Sequence, residues 1–277
     1  MPIPVTSVHN ERVKHAIRLR DRRDRDREGL LLIEGYRETF RALAGGWRPV
    51  TLFCCRTLFL GTNEDALIEQ CRAAGADVLD CSETVFRKLS YRDRPDGLLA
   101  VARQKRVSLA DLALPADPLL LVMEQVEKPG NLGTMLRSAD AAGADAVIVC
   151  DPCTDVFNPN AVRSSVGALF LLPVAVASTG ETIAWLRARG IRMLAATPAA
   201  ARNHFECDMV RGTAIVVGAE QYGLSAEWLA EADERVVIPM RGRCDSLNVA
   251  SAATILLYEA VRQRMQAGTA PAQREGG

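Results

Sequence analysis

The chain has 277 residues, 48% of them hydrophobic, 25% charged and 5% aromatic, with 34 basic side chains against 34 acidic ones. That length predicts about two domains of ordinary size, and a mean hydropathy of +0.02 argues against both a disordered chain and a membrane protein. No stretch approaches the roughly 20 unbroken apolar residues a bilayer requires; residues 1–11 lack the apolar core and cleavage site of a secretory signal, so a cytoplasmic protein is expected.

Zero net charge hides an asymmetry. Residues 1–105 hold 19 Lys/Arg against 15 Asp/Glu, and residues 106–277 hold 15 against 19. The chain opens with a basic run: Arg12, Lys14, Arg18, Arg20, Arg22, Arg23, Arg25 and Arg27, interrupted by Asp21, Asp24 and Asp26. Such a run is either a solvated helix laced with local ion pairs or a phosphate-binding surface; taken alone it favours the solvated helix.

Short strands and helices then alternate. Strands are expected at 29–34, 50–55, 77–80 and 98–103, with helices at 36–44, 64–74 and 83–89, the first stopped by Gly45-Gly46 and the second by Gly75. The alternation predicts a small α/β sandwich with a mostly parallel sheet over residues 1–105. Residues 106–117 lose the rhythm and read as a linker. A second α/β unit follows over 118–267, with strands at 119–124, 146–149, 172–176, 192–196, 214–217 and 235–238. Its helices are expected at 132–142, 161–170, 182–189, 226–232 and 249–266, ahead of a Gly/Ala/Pro/Gln-rich tail over 268–277.

The eight cysteines form no metal or disulfide framework. Cys150 and Cys153 have thioredoxin-like spacing, but a redox pair needs a helix beginning at the first cysteine, and here the chain runs on into loop chemistry. His9, His15 and His204 are scattered, so no zinc site is expected.

Three loops fall at the carboxyl ends of predicted strands, where open α/β sheets place ligands: 129–137, 217–225 and 238–250. No dinucleotide fingerprint and no Walker loop is present. Each loop has a plain structural account, with glycines permitting tight turns and Ser246 with Asn248 capping the last helix. Together they are harder to dismiss, because every one sets a polar group (Arg137, Glu220, or Ser246 with Asn248) beside glycine-exposed backbone.

Asn131-x-Gly133-x-x-x-Arg137, then Gly218-Ala219-Glu220-x-x-Gly223-Leu224-Ser225, then Ile238-Pro239-Met240 through Ser246-Leu247-Asn248 resemble, in order and spacing, the three motifs of the SpoU (TrmH-like) RNA 2′-O-ribose methyltransferases. The resemblance spans about residues 118–266. Residues 1–105 look like the substrate-binding domain, similar to ribosomal protein L30e, that many members carry in front. The resemblance implies an N-terminal L30e-like α/β sandwich and a C-terminal SPOUT α/β domain with a deep trefoil knot. It also implies S-adenosylmethionine as cofactor, a homodimer formed through the catalytic domain, and neither metal nor membrane as partner.

Carried over by position, Gly218, Ile238, Met240 and Leu247, with Thr197 nearby, would contact the cofactor. Asn131, Arg137, Glu220, Ser246 and Asn248 match the catalytic positions. Arg137 reads better as an electrostatic stabiliser of the developing alkoxide than as a base, because guanidinium keeps its proton. The implied substrate is ribosomal RNA; a tRNA methyltransferase and a catalytically silent RNA-binding protein of the same fold are the alternatives. On that reading the basic run becomes an rRNA contact, through Arg12, Lys14, Arg18, Arg20, Arg22 and Arg23, joined by Arg163. Two positions depart from the family pattern: Gln221 stands where many members have Gly, and Asp245 precedes Ser246 where a small residue is usual.

Overall fold

The computed structural model describes residues 3–269. These divide into two compact units: one gathers the chain to Lys105 together with Asp155–Leu171, the other Arg106–Thr154 and the chain from Leu172 on. Of the expected tail, residues 270–277 lie outside the described residues.

The first unit runs β1 (Ile3–Val5), α1 (Glu11–Arg18), α2 (Arg22–Glu28), β2 (Leu30–Glu34), α3 (Tyr36–Ala44), β3 (Pro49–Cys54), α4 (Glu64–Ala73), β4 (Asp77–Cys81), α5 (Glu83–Leu89) and β5 (Leu98–Arg103). Its five strands lie in the order β1-β4-β3-β5-β2. β1, β4 and β3 are mutually parallel, but β5 runs antiparallel to both of its neighbours. Four of the five strands therefore share one direction, as the alternation predicts, and β5 alone is reversed. The connection 90–97 is the reason: its eight residues, extended, can span roughly 26 Å, enough to carry the chain back along the sheet before β5 begins. Alternation of elements records no such reversal.

The basic run is two helices rather than one. Asp21 accepts from the Arg23 N–H at 2.8 Å and opens α2, which ends on the left-handed Gly29. Arg25 is only 1% exposed. Its Nε and Nη2 donate to Asp155 Oδ2 at 3.1 and 2.7 Å, and its Nη1 donates to the carbonyls of Leu19 and Arg20. A buried pair broken on one side leaves an uncompensated charge, at a cost of about 3–5 kcal/mol. Arg25→Ala is accordingly expected to lower unfolding free energy by about that amount in urea denaturation, and Arg25→Met with Asp155→Leu to recover most of the loss. A double variant no better than the single would mean the pair is not the origin of the effect.

The segment Asp155–Leu171 contributes a short helix, Pro159–Ser164, that packs on β2. The sequence predicts one helix over 161–170. Instead Val166 and Gly167 adopt left-handed backbone, φ +51° and +87°, and only a 3-10 turn, Ala168–Phe170, follows. Arg41 Nη1 donates to the Val166 carbonyl at 2.7 Å, and a Cβ on Gly167 would meet Arg41 side-chain atoms at 2.9 and 3.0 Å. Tertiary contact interrupts the helix that local propensity would extend.

The second unit runs β6 (Leu119–Glu124), α6 (Pro129–Ala141) and β7 (Ala146–Cys150). After the residues given to the first unit, whose helix is α7 (Pro159–Ser164), come β8 (Val174–Ala177), α8 (Thr179–Ala188), β9 (Arg192–Ala196), β10 (Arg202–Asn203), β11 (Thr213–Val217), α9 (Ala226–Glu231), β12 (Glu234–Val237) and α10 (Val249–Gln266). Seven strands in the order β10-β12-β9-β11-β6-β7-β8 make one wholly parallel sheet. β6, β7 and β11 are buried along their whole length, as unbroken apolar runs are in parallel sheets covered on both faces. From β6 the chain builds outward through β7 to β8; it then crosses to β9 and threads β11 between β9 and β6. Such a reversal of strand order opens a crevice at the carboxyl ends. Helix α10 packs on α6, with Ser138 Oγ 2.7 Å from Thr254 Oγ1. Among the described residues no helix is long and apolar enough to cross a membrane, and no group of three or more His, Cys, Asp or Glu side chains could hold a metal ion.

Candidate active site

A cavity of about 890 Å³ lies in the second unit, lined by Lys128 before α6 and by the loops that follow β9, β11 and β12. Its shape depends on one tight turn. Ala219 and Gly223 exchange backbone hydrogen bonds of 3.1 and 2.9 Å, so the chain after β11 doubles back over Glu220, Gln221 and Tyr222. Gly223 is left-handed at φ +68°. A Cβ on Gly218 would stand 2.3 Å from the Gly223 carbonyl carbon and 2.5 Å from the Leu224 nitrogen, so position 218 admits no side chain without moving the turn. Gln221, by contrast, sits exposed at the tip and keeps negative φ. The departure from the usual Gly therefore imposes no backbone strain.

Of the three stretches expected as loops, 129–137 is helical from Pro129 on, because proline suits the first helical turn; α6 and the loops after β11 and β12 meet in one hydrogen-bonded chain. Pro129 occupies the first turn of α6, a position that needs no N–H, and sets Asn131 at the cavity end of that helix. Asn131 Nδ2 donates to Glu220 Oε1 at 2.6 Å, while the Glu127 N–H donates to Glu220 Oε2 at 3.1 Å. Asn248 Nδ2 donates to Asn131 Oδ1 at 3.2 Å, and Asn248 Oδ1 in turn accepts from the N–H groups of Ala250 and Ser251 as the cap of α10. Asn248 is thus both helix cap and site residue. Burial by itself would raise the Glu220 carboxyl. Donation from Asn131 and from the backbone of Glu127, Glu220 and Lys128 outweighs it and holds the group below its ordinary value.

Thr197, Gly218, Glu220, Ile238, Met240, Ser246, Leu247 and Asn248 all line this cavity. Asn131 joins them through its two side-chain bonds. Arg137 does not: it lies exposed on α6, outside the lining, with no hydrogen bond or ion pair among the described residues. Among the described residues Ser246 Oγ donates only to its neighbour, Asp245 Oδ1, at 3.4 Å. Lys128 and Tyr222 line the cavity without having been singled out by the sequence, although Lys128 is one of only four lysines in the chain. Cys150 is buried at the end of β7, and burial raises its thiol to about 12, the reverse of what thiol chemistry needs.

The basic residues of the first unit fare differently from one another. Arg12 pairs with Asp77 at 2.9 Å, Lys14 with Glu11 at 2.8 Å and Arg22 with Asp26 at 3.4 Å. Arg20 Nη2 is tied to the carbonyls of Lys88, Leu89 and Ser90. Arg18, Arg23 and Arg163 are exposed and carry no such partner among the described residues.

Residues 118–258 match the SpoU rRNA Methylase family. The chain belongs to that family. Every residue of the Glu220–Asn131–Asn248 chain falls inside the SpoU match, and residues 10–100 match the MRM3-like substrate binding domain. The chain is 35% identical over 261 residues to the 23S rRNA (uridine(2479)-2′-O)-methyltransferase of Streptomyces viridochromogenes, covering 91% of this chain and 89% of that protein. It is 30% identical to the 23S rRNA (guanosine(2553)-2′-O)-methyltransferase RlmP of Bacillus subtilis, covering 92% of this chain and 97% of that one. A solved structure, the AdoMet-bound rRNA methyltransferase from Sinorhizobium meliloti, superposes with a TM-score of 0.86 at 33% identity, over 94% of this chain and 97% of that one.

Proposed function

We propose that this chain transfers a methyl group from S-adenosylmethionine to a ribose 2′-hydroxyl of ribosomal RNA, in the cytoplasm and as a homodimer paired through the second unit. The joining of Glu220, Asn131 and Asn248, from the turn after β11, the start of α6 and the cap of α10, carries this reading. The cavity suits the cofactor's chemistry. Its charged lining is Lys128 against Glu220 and Asp245, an acid excess that favours a sulfonium cation. Leu224, Val236, Ile238 and Leu247 offer apolar surface to the adenine, and the side-chain-free backbone at Gly218 permits close approach. Thr197 and Met240 complete the set that would hold it. When bound, S-adenosylmethionine supplies a methyl group already activated by its positive sulfur.

What remains for the protein is to position the ribose and ease the loss of its 2′-hydroxyl proton. Glu220 is a poor proton acceptor near neutrality, because its carboxyl lies below its ordinary value; it holds Asn131 and the turn of residues 219–223 in place. Ser246 and Asn248 orient the ribose. Arg137, permanently charged, stabilises the developing alkoxide and can grip an adjacent phosphate with its forked donors. Because Arg137 lies outside the cavity of its own chain, it serves the cavity of the second copy. Exposed Ile255 and Tyr258 on α10 give that pairing apolar surface.

Incubation with methyl-labelled S-adenosylmethionine and unmodified 23S rRNA, followed by alkaline hydrolysis, tests the proposal. A 2′-O-methyl ribose blocks cleavage and leaves a labelled, alkali-resistant dinucleotide; label confined to mononucleotides would refute ribose methylation. A pH dependence also follows. A lowered carboxyl contributes its stabilisation fully above its ordinary value of 4.5 and loses it as the pH falls through the lowered one. Cofactor affinity, measured by calorimetry, should be level from about pH 6.5, below the titration of the cofactor's own α-amino group, to about pH 5.5 and fall only on further acidification. A titration step inside that window would mean Glu220 is not held as described.

A further inference from the structure

The first unit has its own cavity, of about 800 Å³, bounded by the start of α3, residues 60–64, the connection 90–97 and helix α7. A smaller hollow that includes Tyr91 adjoins it across Arg92 and Arg163, which line both. Glu38, Asp96 and Glu64 on the floor are already engaged, while a fourth acid, Asp93, is exposed at the rim. Arg92 pairs with Glu38 at 2.5 Å and lies 3.6 Å from Asp96, while Glu64 Oε1 accepts from the N–H groups of Leu60 and Gly61. The rim is different. Arg37, Arg94 and Arg163 are exposed and have no hydrogen bond or ion pair among the described residues. Two aromatic rings stand among them: Tyr91, 42% exposed, with the Arg20 guanidinium 6.0 Å from its centroid, and Tyr36, stacked on Phe40. Val166, which lines the same cavity, holds left-handed backbone at φ +51°, unusual for a β-branched residue.

Resting on the function proposed above, we infer that this rim is where the first unit grips its RNA, and that the RNA is a single-stranded segment. Unpartnered arginines take phosphates without first breaking an ion pair, and the exposed Tyr91 beside them offers a ring on which an unpaired base can stack; that combination is the mark of a single-strand track. The basic run of α1 and α2 is less suited. Arg12, Lys14, Arg20, Arg22, Arg25 and Arg27 are all occupied by carboxylates or carbonyls, which leaves Arg18 and Arg23.

Fluorescence anisotropy of the full chain with an unstructured 20-nucleotide oligoribonucleotide, across a salt series, tests the inference. Each lost phosphate contact flattens the plot of log affinity against log salt by about 0.7 for single strands. Arg37→Gln, Arg94→Gln and Arg163→Gln combined should flatten it by about 2, whereas Arg18→Gln, Arg22→Gln and Arg23→Gln combined should change it by less than half as much. Tyr91→Leu should weaken binding at least about fivefold, the lower limit for one stacked base, and Tyr91→Phe should not. A blunt-ended duplex of the same sequence should bind more weakly than the single strand. Equal or tighter duplex binding, an unchanged slope in the rim variant, or a larger loss in the α1–α2 variant would each overturn the inference. Methyl transfer to 23S rRNA by the unaltered chain is scored separately. If that transfer occurs and the rim variant keeps its slope, only the rim assignment falls. If it does not occur, the proposed function falls and the inference with it.

Discussion

Arg137→Ala is expected to lower methyl transfer to 23S rRNA by about 10²–10³-fold, the usual loss when one preorganised charge aimed at a developing oxyanion is removed. Affinity for S-adenosylmethionine should stay within about twofold, because Arg137 contributes nothing to the cavity lining of its own chain. Arg137→Lys should recover only part of the rate, since a lysine keeps the charge but loses the forked contact. Calorimetry and labelled-methyl transfer on the same preparations separate the two effects. The exposed, unpartnered state of Arg137 also makes a sharper prediction. If it acts on the second copy's cavity, an equal mixture of Arg137→Ala chains with chains whose cavity is disabled should regain roughly a quarter of the unaltered rate. Half the dimers are then mixed, and each mixed dimer holds one complete site. A mixture as inactive as its components would show that Arg137 works within its own chain.

The sequence made the central strands of the second unit plain, because β6, β7 and β11 are apolar at every position but one or two and could only be buried. It marked the stretches after β11 and β12 for a related reason, glycine beside polar residues at strand ends, whereas 129–137, which reads as a loop, is helical from Pro129 on. Other features depended on partners far away in the chain. Arg25 looks like its neighbours until it meets Asp155, 130 residues on. The helix expected over 161–170 stops at Ser164 because Arg41 and Glu38 pack where it would continue. The two-residue β10 carries no periodicity at all. Asn131 and Arg137 were grouped by motif, yet six residues on a helix turn the chain by roughly 600°, so their side chains leave on faces about 120° apart. Their separation was a consequence of spacing, and the shared motif obscured it.

Gly218→Ala should abolish measurable S-adenosylmethionine binding, with affinity down at least about a hundredfold, in a chain that still folds. The added methyl meets backbone rather than a flexible side chain: the Gly223 carbonyl carbon and oxygen at 2.3 Å and the Leu224 nitrogen at 2.5 Å. Contacts that short are relieved only by opening the turn. Opening it breaks the paired bonds between Ala219 and Gly223 and displaces Glu220, and with Glu220 the anchor of Asn131. Movement of about 1 Å in a positioning element is enough for losses of this order. The rest of the unit is insulated from the change, since β11 ends at Val217 and its pairing with β6 and β9 lies wholly before the turn. A far-ultraviolet spectrum and melting temperature close to those of the unaltered chain are therefore expected alongside the lost binding. Gly130→Ala is the matched control. It adds the same methyl one residue from Asn131, but meets nothing within 4 Å and sits in helical backbone, where alanine is favoured. It should leave binding unchanged and raise stability slightly. Should Gly218→Ala bind the cofactor as well as Gly130→Ala does, the turn after β11 is not the cofactor's seat, and the cavity must be assigned to some other ligand.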